Sequence, residues 1–534
     1  MASPTYTGSR LLLSVSELAA IPLDQFNFVV AQLTGLLLGF GLRILLPHSL
    51  GKPTWRLVYC LLAGLYLLWF MIGWATWMVL FQVFVCYALL KYFPQSHMQV
   101  AVFFFALVYM LSLYVLRLLE NFEHLCYDPT YPLMITTQKL TSLAFSISDW
   151  RLLHKHGKHM DQERQRWMVR QVPSFLEYCA FALSFQGVLA GPFCHYNIFR
   201  AFIEGNTPER LQENKYPVVY RDDLGSCLIA VRNKLLAVAF WIIITAYVKP
   251  HFPDSRNVDE DFIAKYNMLT RIGYLYISLL FHRAKYYVTW ILADTIYNAS
   301  GMGYAGKDEN GRHLWTEMSN VFVFKIELAT SPKVYMDNWN ILTTHWLRYV
   351  CYTRAPFLNT LLTFMLSAAW HGLFIGYYVT FVSAAFAVQA ARRFRAHVRP
   401  LFQSTATYRL IYDIFTFLTT QLSIAFLVLS FVILKWEPTI RFHSSFYWTL
   451  HVTVAAMLIV LPSRKSSRAR HQENHHSKHI DQHNHHRNDH LSEKQHKRDQ
   501  QHEQIHGRDT DVSDIADDCD GRLRKREVMF VQKS

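Results

Sequence analysis

Apolar residues run through this chain in long stretches from Phe26 to Pro462, separated by short polar segments. A helix crossing the hydrocarbon core of a bilayer needs ~20 mostly apolar residues. Stretches of that kind fall near 26–46, 57–72, 74–90, 99–118, 131–148, 173–191, 228–248, 268–298 (with a possible internal break), 358–388, 410–434 and 446–462, about eleven in all. In lipid the backbone must satisfy its own polar groups, which leaves helices as the spanning element. The stretches are too continuously apolar for the alternating strands of an outer-membrane barrel. The expected class is therefore an all-α polytopic membrane protein with transmembrane or re-entrant helices.

Both ends of the chain depart from this pattern. The first 25 residues hold one short apolar run, Leu11-Leu-Leu-Ser-Val15, cut off by Glu17 and followed by no cleavage site. The span at 26–46 is accordingly expected to act as an uncleaved insertion signal. Residues 463–534 carry 15 Lys and Arg, 13 Asp and Glu, and 11 His. Such a segment cannot bury enough apolar surface to offset its ordering entropy and is expected to be a disordered, His-rich tail. Its histidine pairs, His475-His476 and His485-His486, could bind transition metals loosely, but are read as solvated with no fixed ligand geometry. The chain thus divides into an N-terminal segment (1–25), a membrane domain (26–462) and a tail (463–534).

Charge orients the domain. The formal net charge is +14, and Arg151, Lys155, Lys158, Arg164, Arg166 and Arg170 outnumber Asp161 and Glu163 between the fifth and sixth stretches. The positive-inside rule puts that loop in the cytosol. The acidic loops with Glu120, Glu123 and Asp128, and with Asp254, Asp259, Glu260 and Asp261, are expected in the lumen. Eight cysteines stand at 60, 86, 126, 179, 194, 227, 351 and 519 with no CxxC pair, so neither a disulfide framework nor a zinc site is suggested. The chain has no internal repeat, glycine-rich phosphate loop or dinucleotide fingerprint, and no metal or cofactor is expected.

One histidine interrupts the apolar pattern. Residues 355–391, between Arg354 and Arg392, include no Asp, Glu, Lys or Arg, and His371 sits near their middle. Ionisable groups at such depth usually face a cavity, a partner or a substrate path. Arg348 and Arg354 precede the stretch, and Arg392, Arg393, Arg395 and Arg399 follow it, which predicts two short or re-entrant passes. Gly372 and Gly376 would permit the break. Apolar surroundings hold an imidazole neutral, and a neutral imidazole is a competent general base for a hydroxyl attacking a carbonyl. The alternative is a structural histidine bonded to a neighbouring helix. Ser367, Trp370, Tyr377 and Tyr378 offer polar and stacking edges around it.

Asp337-Asn-Trp-Asn-Ile-Leu-Thr-Thr-His-Trp-Leu-Arg348 lies just upstream. An amide in a membrane cavity can donate to an oxyanion without bringing a charge. Asn338 and Asn340 both qualify, on opposite faces if the segment is helical, and either could serve as a cap or as helix–helix glue.

Trp339-Asn-Ile-Leu-Thr-Thr-His-Trp-Leu-Arg348, followed by Trp370-His-Gly372, resembles the signature pair of the membrane-bound O-acyltransferase family, in its lysophospholipid acyltransferase branch. Pro173-Ser-Phe-Leu-Glu-Tyr178 with Phe185-Gln-Gly-Val-Leu-Ala-Gly-Pro192, and Phe281-His-Arg-Ala-Lys-Tyr-Tyr287 with Trp290, are similar to further stretches of that branch. The resemblance spans most of 26–462 and stops before the tail. One departure is Ile375, where relatives commonly carry proline. The resemblance implies a bundle enclosing an intramembrane tunnel, His371 as the catalytic histidine and Asn340 as its partner. It also implies transfer of a fatty acyl group from acyl-CoA to the free hydroxyl of a lysophospholipid in the endoplasmic reticulum membrane, with acyl-CoA as co-substrate and no metal. Lysolipids with ethanolamine, serine or choline headgroups are favoured over inositol.

Lys285, Arg283 and Arg348 could attract coenzyme A or lipid phosphates, or could merely snorkel to the headgroups. Trp339, Trp370, Tyr377 and Tyr378 could line the acyl path, and Glu177 is expected to pair with a basic residue inside the bundle. Two other readings remain. One is an acyltransferase for a sterol, diacylglycerol or protein acceptor, against which Val334-Tyr-Met-Asp-Asn-Trp-Asn340 argues by lacking the Phe-Tyr-x-Asp-Trp-Trp-Asn pattern. The other is a transporter or scaffold, which leaves the Asn340/His371 pair without a task.

Overall fold

The structure, a computed structural model, describes residues 6–119, 128–157, 160–205 and 224–462. Glu120, Glu123, Cys126, Lys158, Cys519 and the whole expected tail lie outside the described residues. Apart from a few one-turn helices, the chain forms α1 (Leu23–Leu45), α2 (Pro53–Ile72), α3 (Thr76–Tyr92), α4 (Met98–Leu119), α5 (Thr130–His156), α6 (Phe175–Ala182), α7 (Tyr196–Glu204) and α8 (Leu224–Ile243). It continues with α9 (Met268–Ser300), α10 (Pro332–Asn338), α11 (Ile341–Leu347), α12 (Asn359–His371), α13 (Ile375–Val398), α14 (Ala406–Ile433), α15 (Trp436–Ser445) and α16 (Thr449–Val460). Strands among the described residues are limited to Gly306–Lys307 paired antiparallel with His313–Leu314.

Among the described residues, five helical stretches are long and apolar enough to cross a membrane: Leu23–Leu45, Pro53–Tyr92, Met98–Leu119, Leu224–Val258 and Ala406–Ile433. Most expected spans coincide with helices, and three departures have local causes. The apolar stretch 173–191 yields only the eight-residue α6. At its end the buried Lys139 Nζ donates to the carbonyls of Phe181 (3.0 Å) and Ala182 (3.4 Å) and to Ser184 Oγ (3.0 Å). A cation satisfying the last carbonyls of a helix stabilises its terminus, and Gly187 and Gly191-Pro192 then carry the chain away. The 268–298 stretch shows no break. No proline interrupts Met268–Ser300, and α9 runs as one 33-residue helix. The last stretch, 446–462, holds only the 12-residue α16, set off from α15 by Tyr447 and Trp448 in left-handed conformation.

Helix α5 is the spine on which the site is built. Apolar Leu133, Leu140, Leu143, Ala144 and Ile147 are buried, and so are Thr136, Thr137, Gln138, Lys139, Thr141, Ser142, Ser146 and Asp149. Buried polar groups must find partners; Gln138, Thr141, Ser146 and Asp149 find them on the segment that follows Asn340, while Thr136 and Thr137 bond Gln82 and Ser142 meets His195.

Candidate active site

The 355–391 stretch divides as the charge pattern predicts, at one of the two expected glycines. Helix α12 ends on His371, and Gly372 takes φ +133, a backbone conformation that side chains rarely adopt. Its N–H donates to both Ala368 O (3.1 Å) and Ala369 O (3.2 Å), and α13 starts three residues later. Gly376 is not a break but lies within α13. There its missing Cβ admits Ser430 O of α14, which a Cβ would meet at 2.1 Å, and its N–H donates to Leu434 O at 3.0 Å.

His371 therefore projects from a helix end into a ring of aromatic side chains. Its centroid lies 4.7 Å from Trp370, 5.0 Å edge-on from Phe431, 5.3 Å stacked from Phe381 and 5.7 Å from Tyr377. The residue is half-buried, and among the described residues neither ring nitrogen has a hydrogen-bond partner. A buried structural histidine normally satisfies at least one nitrogen.

Asn340 occupies a break of its own. Asn338 ends α10, donating Nδ2 back to Val334 O at 2.8 Å, while Asn340 precedes α11 in left-handed conformation (φ 47, ψ 50). The segment between them is extended, so the two asparagines do not sit on opposite faces of one helix. Asn338 is the cap-like residue. Asn340 Oδ1 accepts from Asn320 Nδ2 at 3.0 Å, and Asn340 is half-buried. Trp339 packs among Trp290 (5.0 Å), Tyr286 (5.7 Å), Tyr287 (6.0 Å) and Tyr335 (6.0 Å).

One observed contact joins these neighbourhoods. Trp346 of α11 and Trp370 of α12 approach to 6.0 Å, and both indoles donate to α5, to Thr141 Oγ1 and Met134 O respectively, each at 3.0 Å. Gln138 Nε2 donates to Thr343 Oγ1 at 3.1 Å, and Tyr349 Oη donates to Asp149 at 2.9 Å. Positions 138, 141 and 149 share one face of α5, which thereby holds Thr343, Trp346 and Tyr349 of the arm that follows Asn340. Tyr286 packs on Trp339, and Tyr377 packs on His371. No direct contact between His371 and Asn340 is recorded.

The charged candidates separate. Arg348 ends the α11 arm on a partly exposed ion pair with Glu163 (2.6 Å), in the basic 151–170 loop. Arg283 is buried and committed to Glu327, at 2.5 and 2.9 Å, so it is not available to a phosphate. Lys285 is exposed, with its ammonium 5.1 Å from the Tyr286 ring and no carboxylate bonded among the described residues. It lies within electrostatic range of Asp254, which is already engaged by Lys249 (2.9 Å) and His282 (2.6 Å). His371, Tyr377 and Tyr286 are half-buried, whereas Lys285 is exposed. Tyr378 is half-buried and takes no part in the aromatic ring around His371. Glu177 accepts from Tyr196 Oη; Arg200 lies 3.9 Å away but is exposed and hydrogen-bonded to Glu204, so it is not the partner expected inside the bundle.

At the basic end Asp149 is clamped by Arg354 (2.7 and 2.9 Å) and Arg164 (2.5 Å). Burial pushes its carboxyl up, but the two guanidiniums outweigh that and hold it below the ordinary carboxylate range. Residue-by-residue reading did not identify Asn320, Asp149 or Tyr286. Asp149, a carboxylate at the end of an apolar stretch, and Tyr286, inside the Phe281–Tyr287 motif, carry a local signal; Asn320 carries none.

The family model described as MBOAT, the membrane-bound O-acyltransferase family, matches residues 121–432. The mouse membrane-bound glycerophospholipid O-acyltransferase 2 is 39% identical over 480 residues, covering 89% of this chain and 92% of the relative. The human membrane-bound glycerophospholipid O-acyltransferase 1 is 36% identical over 468 residues, covering 87% and 94%. Lysophospholipid acyltransferase 6 of Drosophila melanogaster is 34% identical over 465 residues, covering 86% of this chain and 64% of the relative. The match includes both the Asn340 arm and the His371 turn, and this chain belongs to the membrane-bound O-acyltransferase family.

Proposed function

We propose that this chain is a multi-pass lysophospholipid acyltransferase, moving a fatty acyl group from acyl-CoA to the free hydroxyl of a lysophospholipid. The observation that carries the reading is His371, a half-accessible imidazole with no hydrogen-bond partner among the described residues, at a helix end inside an aromatic ring. His371 takes the proton of the lysolipid hydroxyl as its oxygen attacks the thioester carbonyl. The C–O bond forms, the C–S bond breaks, and the proton returns from the imidazolium to the departing coenzyme A sulfur. Asn340 Nδ2 donates to the carbonyl oxygen as negative charge builds there, which is where a fixed donor lowers the barrier most. A thioester is already activated, so positioning and one base suffice.

An internal tunnel reaching the His371 ring is part of this reading, supported by the accessible surface that His371 keeps among its aromatic neighbours. Arg348 sits one α11 length from Asn340, roughly 10 Å at 1.5 Å per residue. With the 151–170 loop in the cytosol, acyl-CoA enters at that end. Partly exposed ion pairs are worth little, so a coenzyme A phosphate can displace Glu163 from Arg348. Lys285 holds the lysolipid phosphate, while Trp339, Trp370, Tyr377 and Tyr378 line the acyl path. The enzyme works in the endoplasmic reticulum membrane and prefers ethanolamine, serine or choline lysolipids to inositol ones.

Membranes carrying the full chain, supplied with acyl-CoA and a panel of lysolipids and other acceptors, test the reading. Acylation of one or more lysolipids supports it and identifies the headgroup. Acylation of a sterol, diacylglycerol or protein alone would overturn it.

A further inference from the structure

We propose that Asn320 is a positioning residue that turns the Asn340 amide so that Nδ2, and not Oδ1, faces the reacting carbonyl. This deepens the mechanism above and rests on Asn340 having a role in it.

The argument follows from which atoms can donate. Asn320 is 3% exposed and makes three bonds to the Asn340 turn: its carbonyl O accepts from Ile341 N, its Oδ1 from Leu342 N, and its Nδ2 donates to Asn340 Oδ1, each at 3.0 Å. A backbone N–H only donates, so the side-chain atom facing Leu342 N must be oxygen. The other end of the Asn320 amide is then an NH2, which only donates, so the atom it meets on Asn340 must also be oxygen. Two links fix an orientation that an isolated amide leaves open. Asn340 Nδ2 is left on the opposite side, with no partner among the described residues.

Asn320 is itself anchored. Ser319 Oγ donates to Asp294 Oδ2 at 2.6 Å, and Lys234 Nζ joins Asp294 (2.6 Å) to Trp315 O (2.8 Å). Phe322 N donates to Asn338 O at 3.1 Å, and Val321 pairs with Trp339 across a short antiparallel bridge. Residues 319–322 thus brace the left-handed Asn340 from α9. Both ends of the Asn320 amide are used and buried, so Asn320 reaches the chemistry only through Asn340.

Asn320→Asp in the full chain tests this. The carboxylate still accepts from Leu342 N but cannot donate, so Asn340 must turn its NH2 toward it and present Oδ1 to the carbonyl. We expect kcat to fall roughly 10- to 10²-fold, more than KM rises. Protonating the introduced carboxylate restores an O–H donor, so the ratio of mutant to wild-type kcat should rise as pH falls. In an Asn340→Ala background the same change should remove little further activity. Should Asn320→Asp accumulate poorly, Asn320→Ala, which removes both side-chain bonds and leaves the Asn340 amide unoriented, replaces it in the cycle. A pH-independent ratio, equal losses in both backgrounds, or wild-type kcat in Asn320→Asp would overturn the proposal. Wild-type activity in Asn340→Ala alone would instead overturn the mechanism it deepens.

Discussion

Trp346 and Trp370 meet with ring centroids 6.0 Å apart, and each anchors its indole N–H to α5. The pair couples the arm that starts at Asn340 to the helix that ends at His371. Replacing either by Phe keeps most of the ring contact but leaves Thr141 Oγ1 or Met134 O without that donor. Each change is expected to cost about 1 kcal/mol. Because the rings touch, the double mutant should depart from additivity by about 0.5 kcal/mol or more. Thermal unfolding in detergent checks both statements.

Asp149 joins three elements: α5, the 160–166 segment through Arg164, and the end of the α11 arm through Arg354 and Tyr349. Asp149→Asn leaves two guanidiniums without their anion and should destabilise the fold by roughly 3–5 kcal/mol. Because the folded-state carboxyl is held below its ordinary range, this stabilisation is complete above the ordinary carboxylate pKa. It is lost as pH falls through the lowered value. The difference between wild type and mutant should therefore stay constant over about pH 6–8 and narrow only in acid. Unfolding curves at several pH values measure it.

Lys285→Gln removes the charge proposed to hold the lysolipid phosphate. The KM for lysolipid should rise roughly 10-fold with kcat little changed, as expected for a contact made equally before and during reaction. Lys285→Arg should recover most of the loss. Steady-state kinetics with the lysolipid varied will separate this from snorkelling, in which neither constant moves.

Gly372→Ala places a Cβ at φ +133, with Tyr377 3.3 Å away. Strain of about 1–3 kcal/mol is expected, together with displacement of His371 from its aromatic ring. Activity should fall more steeply than protein abundance in membranes, as paired assays and immunoblots would show.

The helical fold, the turn at His371 and the Asn340 motif were legible because each is written locally. Gly372 marks the break between the two helices of the charge-free stretch. Features that depend on distant partners were not. The 173–191 stretch reads as a span because its side chains are apolar, yet Lys139, about 40 residues earlier, ends its helix after eight residues. Arg283 looks available in sequence and is held by Glu327 from 44 residues away. Asn320 is one neutral amide with no periodic signal, and only the fold brings it to Asn340. The opposite-face argument for Asn338 and Asn340 failed because it assumed one helix where the chain has two.

The central claim is that His371 acts as the general base, and kcat of His371→Ala with acyl-CoA and the preferred lysolipid tests it most directly. With normal abundance in the membrane, activity is predicted to fall by roughly 10²-fold or more. A variant that keeps wild-type turnover would contradict the account, because the reaction would then proceed without the one group placed to take the proton.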